Sequence, residues 1–157
     1  MKNILIIGCG LIGSSLLRSI ANKKVAKKIF IYEKSKSSVS KIKKLKLPCE
    51  VTTDFKKIIP NLDLIIFCTP LGEYKKVILK INKYLLPKTI ITDVGSSKEK
   101  SMELIRKKLK KGISWTSSHP IAGSEVSGPE HGTKDLFLKK WCILIKEKNT
   151  NMKHLNL

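Results

Sequence analysis

Short apolar runs alternate along the chain with longer stretches whose apolar residues recur every three or four positions. Asn3–Ile7 (NILII) reads as a buried strand, a glycine-rich turn follows, and Leu11–Asn22 reads as a helix. Lys28–Tyr32 (KIFIY) is a second strand; residues 37–47 predict a short, highly charged helix, 49–51 a weak strand and 53–59 a weak helix. Residues 62–68 (LDLIIFC) form the clearest central strand, β-branched and aromatic and ended by Thr69-Pro70. Tyr74, Val77, Ile78, Ile81 and Leu85 then fall at helical spacing, and Pro87 closes that helix. Residues 88–93 are a strand, and 97–109 a helix with Met102, Ile105 and Leu109 on one face and Gly112 as its stop. Residues 113–116 predict a short strand, 117–133 a long polar loop, and 141–145 (WCILI) a last apolar strand.

Strands alternating with helices predict the α/β class: a Rossmann-type, doubly wound, mostly parallel sheet with helices on both faces. The 157 residues suit one domain, placed at 1–146, with 147–157 a polar tail that lacks a core-facing period. A loop as long as 117–133 is uncommon in a compact domain and marks a functional segment.

Composition removes some classes of function. The chain is 41% hydrophobic, which argues against disorder. Its net charge is +20, an invitation to read it as a nucleic-acid binder. The excess is spread along the whole chain, however, and Arg18 and Arg106 are the only arginines among 32 basic residues. Base readers use arginine forks and stacking aromatics, and aromatics here are 6%, so the charge reads as a lysine-rich solvated surface without a specific nucleic-acid partner. The cysteines, Cys9, Cys49, Cys68 and Cys142, form no CxxC pair, so no metal site is expected and free thiols suit a cytoplasmic protein. No apolar run is long enough for a membrane span.

The candidate chemistry starts at Gly8-Cys9-Gly10-Leu11-Ile12-Gly13, a G-x-G-x-x-G turn between a predicted strand and a predicted helix. Gly8 permits the turn, Gly10 lets a pyrophosphate approach the backbone, and Gly13 lets the helix pack closely. The helix start, with Leu11 and Ile12, offers free N–H groups to phosphates. Glu33, twenty residues after Gly13 at the end of the second strand, suits the ribose hydroxyls of an adenosine and repels a 2′-phosphate. Lys34 and Lys36 soften that repulsion, so NAD is favoured over NADP moderately. Thr69 and Pro70, at the end of the central strand, and Asp93, at the end of the next, join the cofactor-binding set because ligands of open α/β sheets bind at the carboxyl edge, although Thr69-Pro70 equally suits a plain strand-ending turn. Ser96-x-x-Glu99 fits a capping box, which makes Ser96 a helix cap on spacing alone. His119, after the sixth strand in a glycine-rich loop, suits a general base or hydrogen-bond acceptor, or a loop histidine held by backbone. His131 and His154 have no such setting.

Taken together, GCGLIGSSL, DVGSSK and HPIAGSEVSGPEHG, followed by DLF and KKWCIL, resemble the prephenate and arogenate (cyclohexadienyl) dehydrogenases of tyrosine biosynthesis. The likeness runs from about residue 1 to 144 and is absent from the tail. It implies NAD-dependent oxidative decarboxylation of prephenate or arogenate. It implies that His119 accepts the hydrogen bond and the proton of the substrate 4-hydroxyl. It makes Ser96 the serine that bridges that hydroxyl, the histidine and the nicotinamide, and places Ser124 and Glu125 near the substrate side chain. Relatives of this kind continue into a helical domain that forms a homodimer and supplies an arginine to the substrate. That domain is expected to be absent here, leaving an incomplete enzyme with the cofactor domain. Oxidoreductases of other substrate classes, such as β-hydroxyacid dehydrogenases and imine reductases, share the glycine turn but not the HPIAGSE block. A non-catalytic NAD-binding or basic nucleic-acid-binding module is the remaining alternative.

Overall fold

The computed structural model describes residues 1–146; the tail at 147–157 and His154 lie outside the described residues. The elements in order are β1 (Asn3–Ile7), α1 (Leu11–Asn22), β2 (Lys28–Tyr32), α2 (Lys36–Lys44), β3 (Glu50–Val51), α3 (Phe55–Ile58), β4 (Leu64–Phe67), α4 (Tyr74–Ile81), β5 (Ile90–Asp93), α5 (Lys98–Lys108), β6 (Trp115–Pro120) and β7 (Cys142–Ile145). They build one seven-stranded sheet in the order β3-β2-β1-β4-β5-β6-β7, parallel except where β6 pairs antiparallel with β7. The doubly wound, mostly parallel expectation holds.

Period-two alternation along β1 sends its residues into two cores. Leu5 and Ile7 pack with Phe55, Ile65, Phe67, Tyr74, Ile78 and Trp115 under α3, α4 and α5. Ile4 and Ile6 pack with Leu17, Ile29, Ile31, Ile42 and Ile66 under α1 and α2. Burial on both faces is why the strands read as unbroken apolar runs. Tyr74, Val77, Ile78, Ile81 and Leu85 are all buried, as their spacing requires.

Local capping chemistry moves several boundaries. Helix α2 starts earlier than its charge pattern suggests because Ser35 caps it, accepting from Ser38 N at 3.2 Å. Asp54 caps α3 in the same way, accepting from Lys57 N at 3.1 Å. The capping-box reading of Ser96 fails: the last non-helical residue before α5 is Ser97, with extended backbone (φ −87°, ψ 104°). Helix α5 also ends before Gly112, whose φ of +82° serves the link to β6.

The largest departure concerns β6. The sequence pattern ends the strand at residue 116, whereas it runs to Pro120. Pairing with β7 extends it, since His119 lies opposite Ile143 and Pro120 opposite Cys142. His119 therefore sits on a strand and not in a loop. Beyond it the chain returns over α1. Thr133 N donates to Ser15 Oγ at 3.0 Å, and Arg18 Nη1 donates to the Pro129 carbonyl at 3.0 Å. Gly132 allows this approach, because a Cβ there would meet Ser14 Oγ, Arg18 Nη1 and Ser15 N.

Candidate functional site

The strand order reverses between β1 and β4, where the connections leave to opposite faces. Hydrogen bonds continue the register past the strand ends: Gly8 N donates to Tyr32 O, Cys68 N to Ile7 O and Val94 N to Phe67 O. The turns after β1, β2, β4 and β5 therefore emerge together at the carboxyl edge. A cavity of roughly 440 Å³ opens there, lined among others by Gly8, Gly10, Glu33, Thr69 and Pro70. That volume lies in the usual range for small-ligand and cofactor sites.

The three glycines differ in what they permit. Gly8 has φ +93°, and a Cβ on it would meet Thr69 Cγ2 at 2.8 Å and the Cys68 backbone at 2.9 Å. A Cβ on Gly13 would run into the Gly8 carbonyl oxygen, so this glycine sets how closely α1 approaches the turn. A Cβ on Gly10 would have nothing within 4 Å, so that position faces open space. Gly10 is also the residue before α1, with no side-chain cap on the first N–H groups, and Leu11 and Ile12 follow as the first helical residues.

Glu33 is held rigidly. One carboxylate oxygen accepts from Cys9 N at 3.0 Å and the other from Ser35 N at 2.9 Å. The carboxylate is thus fixed between the glycine turn and the start of α2. Among the described residues, Thr69 Oγ1 is buried with no hydrogen-bond partner. A buried hydroxyl beside a cavity is costly unless a ligand or water satisfies it. Open space at Gly10, a fixed carboxylate at Glu33 and this orphaned hydroxyl together fit a dinucleotide.

The Asp93 side chain is fully buried, accepting at Oδ2 from Tyr74 OH (3.1 Å), Gly95 N (3.2 Å) and Lys98 Nζ (2.7 Å). Trp115 Nε1 reaches Oδ1 at 3.4 Å. Lys98 Nζ donates as well to the Ser118 carbonyl at 2.5 Å, and Ser118 Oγ donates to the Asp93 carbonyl at 2.6 Å. This polar knot ties the turn that carries Ser96 to the strand that carries His119. Burial beside Asp93 pushes the Tyr74 phenol up, so it remains a donor. The DVGSSK motif signalled the turn, but nothing in it signalled Trp115 and Tyr74 as partners.

Ser96 is exposed on that turn. Strand register places Ser117 opposite Asp93, so His119 projects two residues beyond the end of β5 at the same edge. Among the described residues, His119 Nδ1 is buried and has no hydrogen-bond partner. Ser124 and Glu125 are exposed on the loop that follows. His131 ends a 3₁₀ turn, Pro129–His131, that packs against α1 and α2. No cluster of metal-ligating residues occurs among the described residues.

The thiols offer a separate check on this geometry. Burial, with smaller contributions from Cys49 and Glu33, pushes the Cys9 thiol up to about 12. Burial likewise raises Cys68 and Cys49. Cys142 is exposed on β7. Maleimide labelling at pH 8, followed by mass spectrometry, is expected to modify Cys142 first and Cys9 only when the chain opens. Equal native rates at Cys9 and Cys142 would contradict the packing of the glycine turn.

Comparison with known proteins gives this architecture a family. The family model described as prephenate dehydrogenase, nucleotide-binding domain, matches residues 16–157. The match begins after the glycine turn, so residues other than that motif carry it. It also includes the tail, which was expected to depart from the family. A cyclohexadienyl dehydrogenase of Zymomonas mobilis is 32% identical over 149 residues, covering 95% of this chain and 50% of that protein. The crystal structure of prephenate dehydrogenase from Aquifex aeolicus, in complex with hydroxyphenyl propionate and NAD+, superposes with a TM-score of 0.88 at 31% identity, covering 99% of this chain and 54% of that one. Synechocystis arogenate dehydrogenase superposes at 0.84 with 26% identity, covering 99% and 54%. The chain spans about half the length of these relatives. On its sequence and its fold, the chain belongs to the family of prephenate dehydrogenase nucleotide-binding domains.

Proposed function

We propose that this chain is the cofactor-binding half of an NAD-dependent dehydrogenase acting on prephenate or arogenate. The observation that carries the proposal is the cavity at the β1/β4 switch point, bounded by Gly8, Gly10 and Glu33, in a chain of this family. In this reading Gly8, Gly10, Leu11, Ile12 and Gly13 receive the pyrophosphate, Glu33 takes the adenosine ribose, and Thr69 and Pro70 line the floor. Asp93 belongs to the site as a positioning residue, since its carboxylate is occupied inside the fold. The bound nicotinamide supplies a hydride acceptor.

The chain's own residues do the rest. His119, with Nδ1 unsatisfied at the carboxyl edge, accepts the hydrogen bond and proton of the substrate 4-hydroxyl. Removing that proton raises electron density on the carbon that gives up hydride, and loss of CO2 then leaves an aromatic ring. Ser96, exposed at the same edge, bridges hydroxyl and histidine, and Ser124 and Glu125 face the substrate side chain. The Asp93–Lys98 knot holds the Ser96 and His119 segments in register, which is the orientation such a reaction needs. The reading includes a cytoplasmic location, a homodimer formed through the part of the relatives that lies outside the matched half, and no specific nucleic-acid partner. No helix among the described residues is long and apolar enough to cross a membrane.

Calorimetry is expected to show NAD+ binding in the micromolar-to-millimolar range, with little turnover of prephenate or arogenate by the 157-residue chain alone. No heat of NAD+ binding removes the proposal. In a chain joined to a relative's second half, His119→Asn is expected to lower turnover by about 10²–10⁴-fold while NAD+ affinity changes far less. Equal losses in both would make His119 a structural residue.

A further inference from the structure

The adenosine side of the cavity carries more charge than one ribose carboxylate requires. Lys34 Nζ lies 3.0 Å, and Lys76 Nζ 3.5 Å, from the same oxygen of Glu73. Lys80 Nζ donates to the Tyr32 hydroxyl at 3.5 Å, and all five residues line the cavity that holds Glu33. Glu73 is the sheltered member of its trio, its side chain 23% exposed against 64% for Lys34 and 71% for Lys76. Its backbone is fixed by the 3₁₀ turn Leu71–Glu73, in which Glu73 N donates to the Pro70 carbonyl at 2.9 Å. The hydrogen bond from Lys34, with a smaller share from Lys76, holds its carboxyl below the usual range, so it is ionised at neutral pH.

We infer that Glu73 is a specificity-determining residue of this site: it occupies Lys34 and Lys76 and so denies a 2′-phosphate the ammonium groups that would neutralise it. The inference rests on the dinucleotide reading above. Glu33 alone is an incomplete barrier, because both its oxygens already accept backbone N–H groups and three lysines stand around it. Lysine binds phosphate as a mobile point charge, so an unengaged Lys34 or Lys76 can swing to a 2′-phosphate beside Glu33. Glu73 removes that freedom. Exposed pairs of this kind add little to stability, so their neutralisation falls mainly on ligand choice.

The test titrates the wild-type and Glu73→Gln chains with NAD+ and NADP+, and with the fragments 5′-AMP and 2′,5′-ADP, by calorimetry. In Glu73→Gln the NADP+/NAD+ affinity ratio is expected to rise about tenfold, with the fragment ratio moving alike. Adding Lys34→Gln to Glu73→Gln is expected to take back most of that gain, and Glu73→Asp to keep the wild-type ratio. Melting curves check folding, and Glu73→Ser reads the same ratio should Glu73→Gln fold poorly. A wild type that binds NAD+, with ratios unmoved in Glu73→Gln and Glu73→Ser, overturns the inference and leaves the dinucleotide reading standing. A wild type that binds neither dinucleotide overturns both.

Discussion

Replacing Asp93 with alanine is expected to cost about 3–5 kcal/mol of folding stability, read as a lowered urea midpoint with an unchanged slope. The carboxylate is fully buried and takes donors from α4, α5, β6 and its own turn. Alanine removes this acceptor from the Tyr74 hydroxyl and breaks the 2.7 Å ion pair with the Lys98 ammonium, which is 11% exposed. Domains of this kind have only about 5–15 kcal/mol in total, so the effect takes a large share of the margin. Asp93→Asn retains an acceptor and is expected to lose less. Lys98→Met leaves the fully buried carboxylate three neutral donors but removes its Lys98 cation, so its loss should approach that of Asp93→Ala. A loss below about 1 kcal/mol in Asp93→Ala would mean that the knot is not what joins the Ser96 turn to the His119 strand.

Gly13→Ala and Gly10→Ala are expected to fail in different ways. At Gly13 the new Cβ meets the Gly8 carbonyl oxygen, a backbone atom that cannot rotate away. Helix α1 must move from the sheet, at a cost of about 1–3 kcal/mol or more, and dinucleotide binding is lost with the turn. At Gly10 the Cβ meets nothing in the protein, so the melting temperature should hold. The methyl group would instead occupy space that the proposed pyrophosphate needs, and NAD+ affinity is expected to fall by about tenfold or more. A Gly10→Ala chain that binds NAD+ normally would place the phosphates elsewhere, and a Gly13→Ala chain of wild-type stability would contradict the packing of α1.

Much of this molecule was legible along the chain because the physics involved is local. The unbroken apolar run from Ile4 to Ile7, and helical spacing from Tyr74 to Ile81, are visible in the residues themselves. So is the glycine turn, whose constraint at Gly8 is a backbone angle. Local pattern is not enough where a second segment intervenes. Ser96 satisfied a capping pattern that Ser97 displaced once the turn was tied to Asp93 through Gly95 N. The strand carrying His119 ended too early on pattern alone, since polar residues 117–119 hide its continuation and only pairing with β7 reveals it. The partnership of Asp93 with Trp115 is hidden in the same way, since Trp115 stands 22 residues later on the next strand.

The amino-acid sequence by itself determined the fold class, the order of the elements, the phosphate-type turn, the carboxylate at Glu33 and the family likeness, all of which depend on spacing within short segments. The tertiary structure alone decided that β7 runs antiparallel, that Asp93 is buried, and that Glu73 rather than Glu33 engages Lys34 and Lys76. It alone brought Thr133 onto Ser15, 118 residues away. The reason is common to these cases. Each is a contact between side chains or strands that meet only after the sheet has assembled, and no periodicity or motif spacing encodes such a meeting.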